Sequence, residues 1–459
     1  MPDDKKRAAL FVSTLASFLT PFMGSAAIVA VPAIARQMGM DAVIQSWIPT
    51  AYLLSAAVFL VPFRRLADLY GRKRFFLAGM TVFTLGSLAI STTSHAETFL
   101  ALRVVQGVGG AMIFGTGIAI ITSVFPPGER GRALGINTAA VYLGLSAGPT
   151  IGGLLTQHWG WRSVFAINVP IGLFIIAVVV RKLRGEWADA RGERFDLVGA
   201  LLFILFPTAA TLGATQLPAR SGVLYLAAAA LLFVLFVLTQ LYRRHPLLEV
   251  RVFLSNRVFA LSNLAALIAY AATAGVGFLV SQYLQHVRGF SPREAGLVLV
   301  AQPIVMALLS PRAGHAADRI EPRILTAAGM ACVTAGLFLF GFLSFTTPVW
   351  QVVVCLVLVG TGFGVFSSPN TLAVMSAVEK RSLGVASATL ATMRATGQVF
   401  SMGVTIMMFA VQAGRVEPAE NLPGFLAGIR LAFHLFAGLC LLAVLASLVR
   451  GRIHTKLPP

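Results

Sequence analysis

The stretch FRRLADLYGRKR at residues 63–74 packs five basic residues, one acid and one glycine into twelve positions. Residues 45–63 before it and 75–93 behind it are free of charge and long enough to cross a bilayer as helices. A second, looser copy occurs as PRAGHAADRIEPR at 311–323, where Ala317-Asp318 matches Ala67-Asp68 at an offset of 250 residues. Each copy follows the second apolar run of a longer block. A charged loop repeated at the same place in two blocks reads as a duplicated helical bundle.

Working outward from these loops, apolar runs bounded by charge or turn residues give fourteen spans. Six precede the most polar internal segment, at 8–34, 45–63, 75–93, 98–125, 133–156 and 163–180. That segment is RKLRGEWADARGERFD, residues 181–196. Two more spans follow it, 197–215 and 222–241, and then a second six at 258–284, 294–309, 324–345, 349–371, 383–411 and 425–449. The tenth, with Gln302 and Pro303, is short and expected to extend into its flanking loops. The expected division is a bundle at 1–181, a linker with two inserted spans at 182–257, and a second bundle at 258–459.

Composition agrees, because 57% of the 459 residues are hydrophobic and only 12% charged, with a mean hydropathy of +0.83. A soluble globular domain carries about 25% charge. The net charge of +19 raises the question of nucleic acid, and the placement of the charges answers it. Of 36 Lys and Arg, 27 fall in loops and tails on the side of the N-terminus, all six Lys among them, and seven on the other side. By the positive-inside rule both termini are cytoplasmic, and the charge is spread over loops rather than gathered on one binding face. Trp47, Trp159, Trp161 and Trp350 lie at the expected outer ends. The first span is too long for a cleavable leader and lacks a small-x-small site. Cys332, Cys355 and Cys440 stand in separate spans, so neither a disulfide framework nor a metal cluster is indicated.

LADLYGRKR at 66–74 resembles the signature loop of the major facilitator superfamily. RVVQG at 103–107, GLSAGPTIGG at 144–153 and WRSVFAINVPIG at 161–172 resemble, in order, motifs of its fourteen-helix drug:proton antiporters. The resemblance covers essentially the whole chain. It implies an all-helical integral membrane protein of the major facilitator fold, two six-helix bundles plus two inserted helices. Asp68, Gly71 and Arg72 then belong to the loop that latches the bundles. On physical grounds Asp68, near a helix end, suits the free N–H groups of a neighbouring helix N-terminus. The pattern departs from the family at Arg64, where glycine is usual; Gly314 keeps it in the second copy.

Gly144, Gly148 and Gly152 recur every four residues, so they share a face that admits another helix backbone, with Pro149 bending the span. The resemblance makes this motif a mark of exporters and packs the fifth span against the opposite bundle. Arg103 and Arg394 are costly inside hydrocarbon, at least ~2.5–3.5 kcal/mol unless paired or hydrated, and so qualify as functional residues. By resemblance Arg103 faces the central cavity and takes part in proton coupling, with Gln106 and Gly107 in the same motif. Arg394, in ATMRATGQ, resembles an arginine of the thirteenth span, with Gln398 one turn on.

An acidic partner for these arginines is missing from the sequence. All 17 Asp and Glu fall outside the middles of the spans, and the first span reads TPFMGSAAIVAVPAI where many relatives carry an aspartate. Coupling therefore runs through Asp68, Asp41 or the inner rim, through His434, or the substrate is itself an anion that pairs with arginine. Such a cavity favours anionic or neutral substrates over dications. Met23, Tyr270, Gln282, Gln302, Asn370, Met306 and Met393 are the candidate lining residues.

The expected function is export of small amphipathic compounds by alternating access, driven by the proton-motive force, in a bacterial inner membrane. No cofactor, metal or nucleic acid is expected. Without a GxxxxGK[ST] loop or a soluble domain, ATP use and enzyme activity are not expected either. An organic-anion uniporter or importer and a non-transporting membrane sensor are the alternatives. Substrate identity and any adaptor protein stay open.

Overall fold

The computed structural model describes residues 3–183, 185–188, 190–243, 246–379, 383–414 and 416–451. Seven residues counted above for the charge bias, Arg184, Arg244, Lys380, Arg381, Arg415, Arg452 and Lys456, lie outside the described residues. Among those described the chain is helical with no strand. Fourteen helices are long and apolar enough to cross a membrane. Spans 1–6 run Lys6–Met38, Ala42–Tyr70, Arg72–Thr92, Ala96–Val124, Glu129–Trp159 and Arg162–Lys182. Spans 7 and 8 are Leu197–Gln216 and Arg220–Tyr242. Spans 9–14 run Arg257–Val287, Pro292–Ala316, Pro322–Phe340, Val349–Ser376, Leu383–Gln412 and Leu422–Val449. All fourteen coincide with the apolar runs of the sequence. The tenth extends to 25 residues by taking in both flanks.

Three spans expected to be continuous are interrupted, the tenth at Val300 between Pro292–Leu299 and Ala301–Ala316. Span 6 turns at Ile167, between Arg162–Ala166 and Asn168–Lys182. Span 9 breaks at Ala274–Gly275 and ends in a π-helical turn at Tyr283–Val287. A broken helix at membrane depth must satisfy its freed backbone groups internally. Here Ser401 of span 13 does so, its hydroxyl accepting from Gly275 N at 2.9 Å.

The chain divides into two compact units, Met1–Ile204 with Gly289–Leu297, and Leu205–Arg288 with Val298–Pro459. In the first unit span 5 comes into backbone contact with span 1. A Cβ on Gly144 would overlap the Phe18 carbonyl, one on Gly148 the Ser25 side chain, and one on Gly152 would stand 2.7 Å from Ala26 Cα. The glycine stripe thus lets two backbones touch, which is how helices gain van der Waals contact where lipid offers no hydrophobic drive. Span 4 meets span 3 the same way, with Gly109 over Phe83 N. In the second unit Gly329 and Gly362 cross spans 11 and 12, and Gly397 seats span 13 on span 9 beside Tyr270.

Candidate functional site: a loop clasp and three arginine networks

Asp68 lies in the last turn of span 2, four residues before Arg72, and this spacing closes an ion pair across Gly71. Its Oδ1 accepts from Arg72 Nε at 2.8 Å and pairs with Nη2 at 2.6 Å. Arg72 Nη1 also donates to Ser123 Oγ of span 4 at 2.6 Å. The free N–H groups at the start of span 3, which the sequence offered to Asp68, are taken instead by Glu186 from the linker. Lys73 N and Arg74 N donate to its two carboxylate oxygens at 2.8 and 3.3 Å. The reason is geometric: Asp68 points along its own helix toward Arg72, whereas the linker brings Glu186 head-on to the helix end, where dipole and free donors favour a carboxylate.

The linker is tied down along its length. Arg72 N donates to Trp187 O at 2.9 Å, Ala190 N to Asp68 O at 3.0 Å, and Arg65 pairs with Glu193 at 2.5 Å. Gly71 has φ +122°, and a side chain there would collide with Glu186. Glycine at 71 is therefore required twice, by its dihedral and by the clasp. The acids of the polar segment neutralise the basic loop, a role that its reading as a boundary did not disclose.

Arg103 is 1% exposed and held inside the first unit. Nε donates to Ile48 O at 3.0 Å and Nη1 to Gln106 Oε1 at 2.5 Å, while Gln106 Nε2 donates to Ser87 Oγ at 2.7 Å. The guanidinium also lies 4.7 Å from the Tyr52 ring centroid and 5.7 Å from that of Phe165. The RVVQG motif thus ties spans 2, 3 and 4 together. Gly107 completes it by letting span 4 press on Tyr52 and Ser55.

The glycine-proline motif divides its contacts. Gly144, Gly148 and Gly152 face span 1, as above, while Gly153 and the Pro149 carbonyl meet Pro292 and Gly296 of the segment that groups with the first unit. WRSVFAINVPIG binds the neighbouring helices. Trp161 Nε1 and Arg162 donate to Gln37 Oε1 at 2.7 and 3.0 Å, Arg162 reaches Thr93 O at 3.0 Å, and Asn168 Nδ2 donates to Met23 Sδ at 2.8 Å. Met23 is consequently buried against Asn168 rather than open to a cavity.

In the second unit Arg394 is half-buried. Nη2 donates to Thr371 Oγ1 at 2.7 Å and the guanidinium sits 5.6 Å from the Tyr270 centroid; its Nε is buried without a partner. Tyr270 packs edge-on to Phe363 at 5.1 Å. Arg394, Tyr270 and Thr371 are brought together. Gln282 and Asn370 are fully buried, and Met306 nearly so. Gln302 lies with its carbonyl against Gly360, partly exposed. Asn370 belongs to a separate network with Ser262 and Arg450, which sequence reading missed because Arg450 falls one residue beyond span 14. His434 is packed against Gly341 and the rings of Phe338 and Phe342, and Asp41 caps span 2 through Ile44 N at 2.7 Å. Among the described residues no cluster of His, Cys, Asp or Glu has metal-site geometry.

Comparison with known proteins agrees with this architecture. The family model described as Major Facilitator Superfamily matches residues 13–402. The riboflavin transporter RibZ of Clostridioides difficile is 31% identical over 391 residues, 85% of each chain. The cephamycin export protein CmcT of Amycolatopsis lactamdurans is 32% identical over 473 aligned positions, 98% of this chain and 95% of that one. In fold, a bacterial homologue of the human lysosomal transporter Spinster superposes with a TM-score of 0.70 at 16% identity, covering 98% of both chains. The duplicated loop, the arginine-bearing spans and the two-span insert thus belong to a multi-pass transporter, not an enzyme, and the chain is a fourteen-helix member of the Major Facilitator Superfamily.

Proposed function

We propose that the protein exports small amphipathic compounds, neutral or anionic, by proton-coupled alternating access across a bacterial cytoplasmic membrane, with both termini on the cytoplasmic side. The observation that carries this reading is the charge inside the spans. Arg103 and Arg394 lie within them, while the ion pairs Lys6–Glu129, Arg65–Glu193, Arg72–Asp68 and Arg74–Glu186 all lie at span ends or in the linker. Every Asp and Glu is outside a span or within its terminal turn. A half-buried arginine that keeps an aromatic ring and a hydroxyl but no acid favours an anion or an electron-rich ring over a dication. The export and drug-resistance names of relatives such as CmcT support the outward direction.

The test is flux in proteoliposomes under an imposed pH gradient, comparing a cationic dye, a neutral drug and an organic anion, with Asp68→Asn and Arg394→Ala alongside. Gradient-driven movement of the neutral or anionic compound, lost in the variants, is expected; preferential movement of a permanent dication overturns the charge argument. The lack of an acid deep in the spans also favours a second reading, uniport of an organic anion, for which flux would ignore the pH gradient.

A further inference from the structure

Arg450, immediately after span 14, is 1% exposed. Its Nη1 is committed to spans 9 and 12, donating to Ser262 Oγ at 3.2 Å and to Asn370 Oδ1 at 3.1 Å. Asn370 is itself fixed, its Nδ2 donating to Ser262 O at 3.0 Å. The guanidinium is therefore held rigidly by one corner. The other two donor atoms, Nε and Nη2, are buried and partnerless. These two N–H groups lie on the same edge of the guanidinium plane and point in parallel, the fork that meets two oxygens of a carboxylate or phosphate.

Of the charges felt at Arg450 from the start of span 11, Glu321 acts more strongly than Arg323 of opposite sign, yet among the described residues no acid hydrogen-bonds the Nε–Nη2 edge. Ser447, one turn back on span 14, presents a buried hydroxyl that is also without a partner. A buried cation with two of its three donor nitrogens unmet is expensive, and a bound acceptor is the usual resolution. Burial pushes the Arg450 guanidinium down to about 10, which is the same penalty seen from the proton's side.

We propose that the Arg450 fork is an oxyanion-binding site, built by spans 9, 12 and 14 of the second unit, that takes a phosphate group presenting two oxygens to Nε and Nη2. The group is supplied by a phospholipid headgroup at the membrane surface or by free phosphate. The arginines of the proposed transport path, Arg103 and Arg394, take no part, so the site stands or falls apart from the proposed function.

Thermal unfolding of the purified full-length protein tests it. In neutral detergent, inorganic phosphate is titrated against sodium chloride of equal ionic strength; in parallel the protein is placed in nanodiscs of phosphatidylcholine with or without phosphatidylglycerol, and lipid retained after delipidation is identified by native mass spectrometry. A saturable rise of about 2 °C with phosphate, absent in Arg450→Gln, identifies a free anion. A retained phospholipid and a similar shift confined to the lipid arm, both absent in Arg450→Gln, identify a headgroup. Arg450→Lys keeps the charge but lacks the fork, so it is expected to fold and to lose the response even if Arg450→Gln does not fold. Neither response in the wild type, or responses equal in Arg450→Lys, overturns the proposal and leaves Arg450 as a tie between spans.

Discussion

Alanine at position 152 should separate spans 1 and 5. A Cβ on Gly152 would lie 2.7 Å from Ala26 Cα and 2.8 Å from both Ala26 Cβ and Ala26 O. Ordinary carbon contacts are about 3.5–4.0 Å, so the helices must part by about 1 Å at this point. The opposing atoms are backbone and Cβ, with no rotamer to swing aside, so the strain cannot be absorbed locally. Parting there also loosens Gly148 on Ser25 and Gly144 on Phe18, which share the face. Overpacking of this kind costs about 1–3 kcal/mol, and the rigid contact surface argues for the upper half of that range. The control is in the same helix: Gly135 has nothing within 4 Å of a built Cβ. Gly135→Ala should therefore be neutral, or more stable by up to about 1 kcal/mol through helix propensity. Thermal unfolding of both purified variants in one detergent reads the difference. If Gly152→Ala melts with the wild type, or Gly135→Ala falls as far, the close-packed stripe is not what holds these spans together.

Two other outcomes follow from the geometry. Glu186→Gln should weaken the cap on span 3 by about 1 kcal/mol, read as roughly five-fold faster hydrogen exchange at the Lys73 and Arg74 amides, whereas Glu193→Gln, which breaks a surface pair with Arg65 but caps no helix end, should change little. Arg103→Met leaves the buried Gln106 Oε1 without its donor and removes the side-chain tie to Ile48 O, and should lower stability by about 1–3 kcal/mol, measured by thermal unfolding; a variant as stable as the wild type would mean the network is slack.

The residues show where sequence reading succeeds and where it stops. Spans are legible because a bilayer demands some twenty consecutive apolar residues, a purely local property. The glycine stripe was legible for the same reason, since a four-residue period places Gly144, Gly148 and Gly152 on one face whatever they meet. What they meet was not: the stripe faces span 1, and only Gly153 and Pro149 reach the Pro292–Gly296 segment. The break at Gly275 was hidden because the run around it stays apolar, and the hydroxyl that satisfies it comes from Ser401, over a hundred residues away.

By itself the sequence determined the number and order of the spans, the duplicated loop, and the presence of two arginines with no acid beside them, because each depends on composition or on spacing along one helix. Tertiary structure alone decided the partners: Glu186 rather than Asp68 at the start of span 3, Gln106 and Ile48 around Arg103, and Asn370 drawn to Arg450. Hydrogen bonds and ion pairs are settled over distances of about 3 Å between segments far apart in the chain, and nothing in local periodicity encodes which segment arrives there.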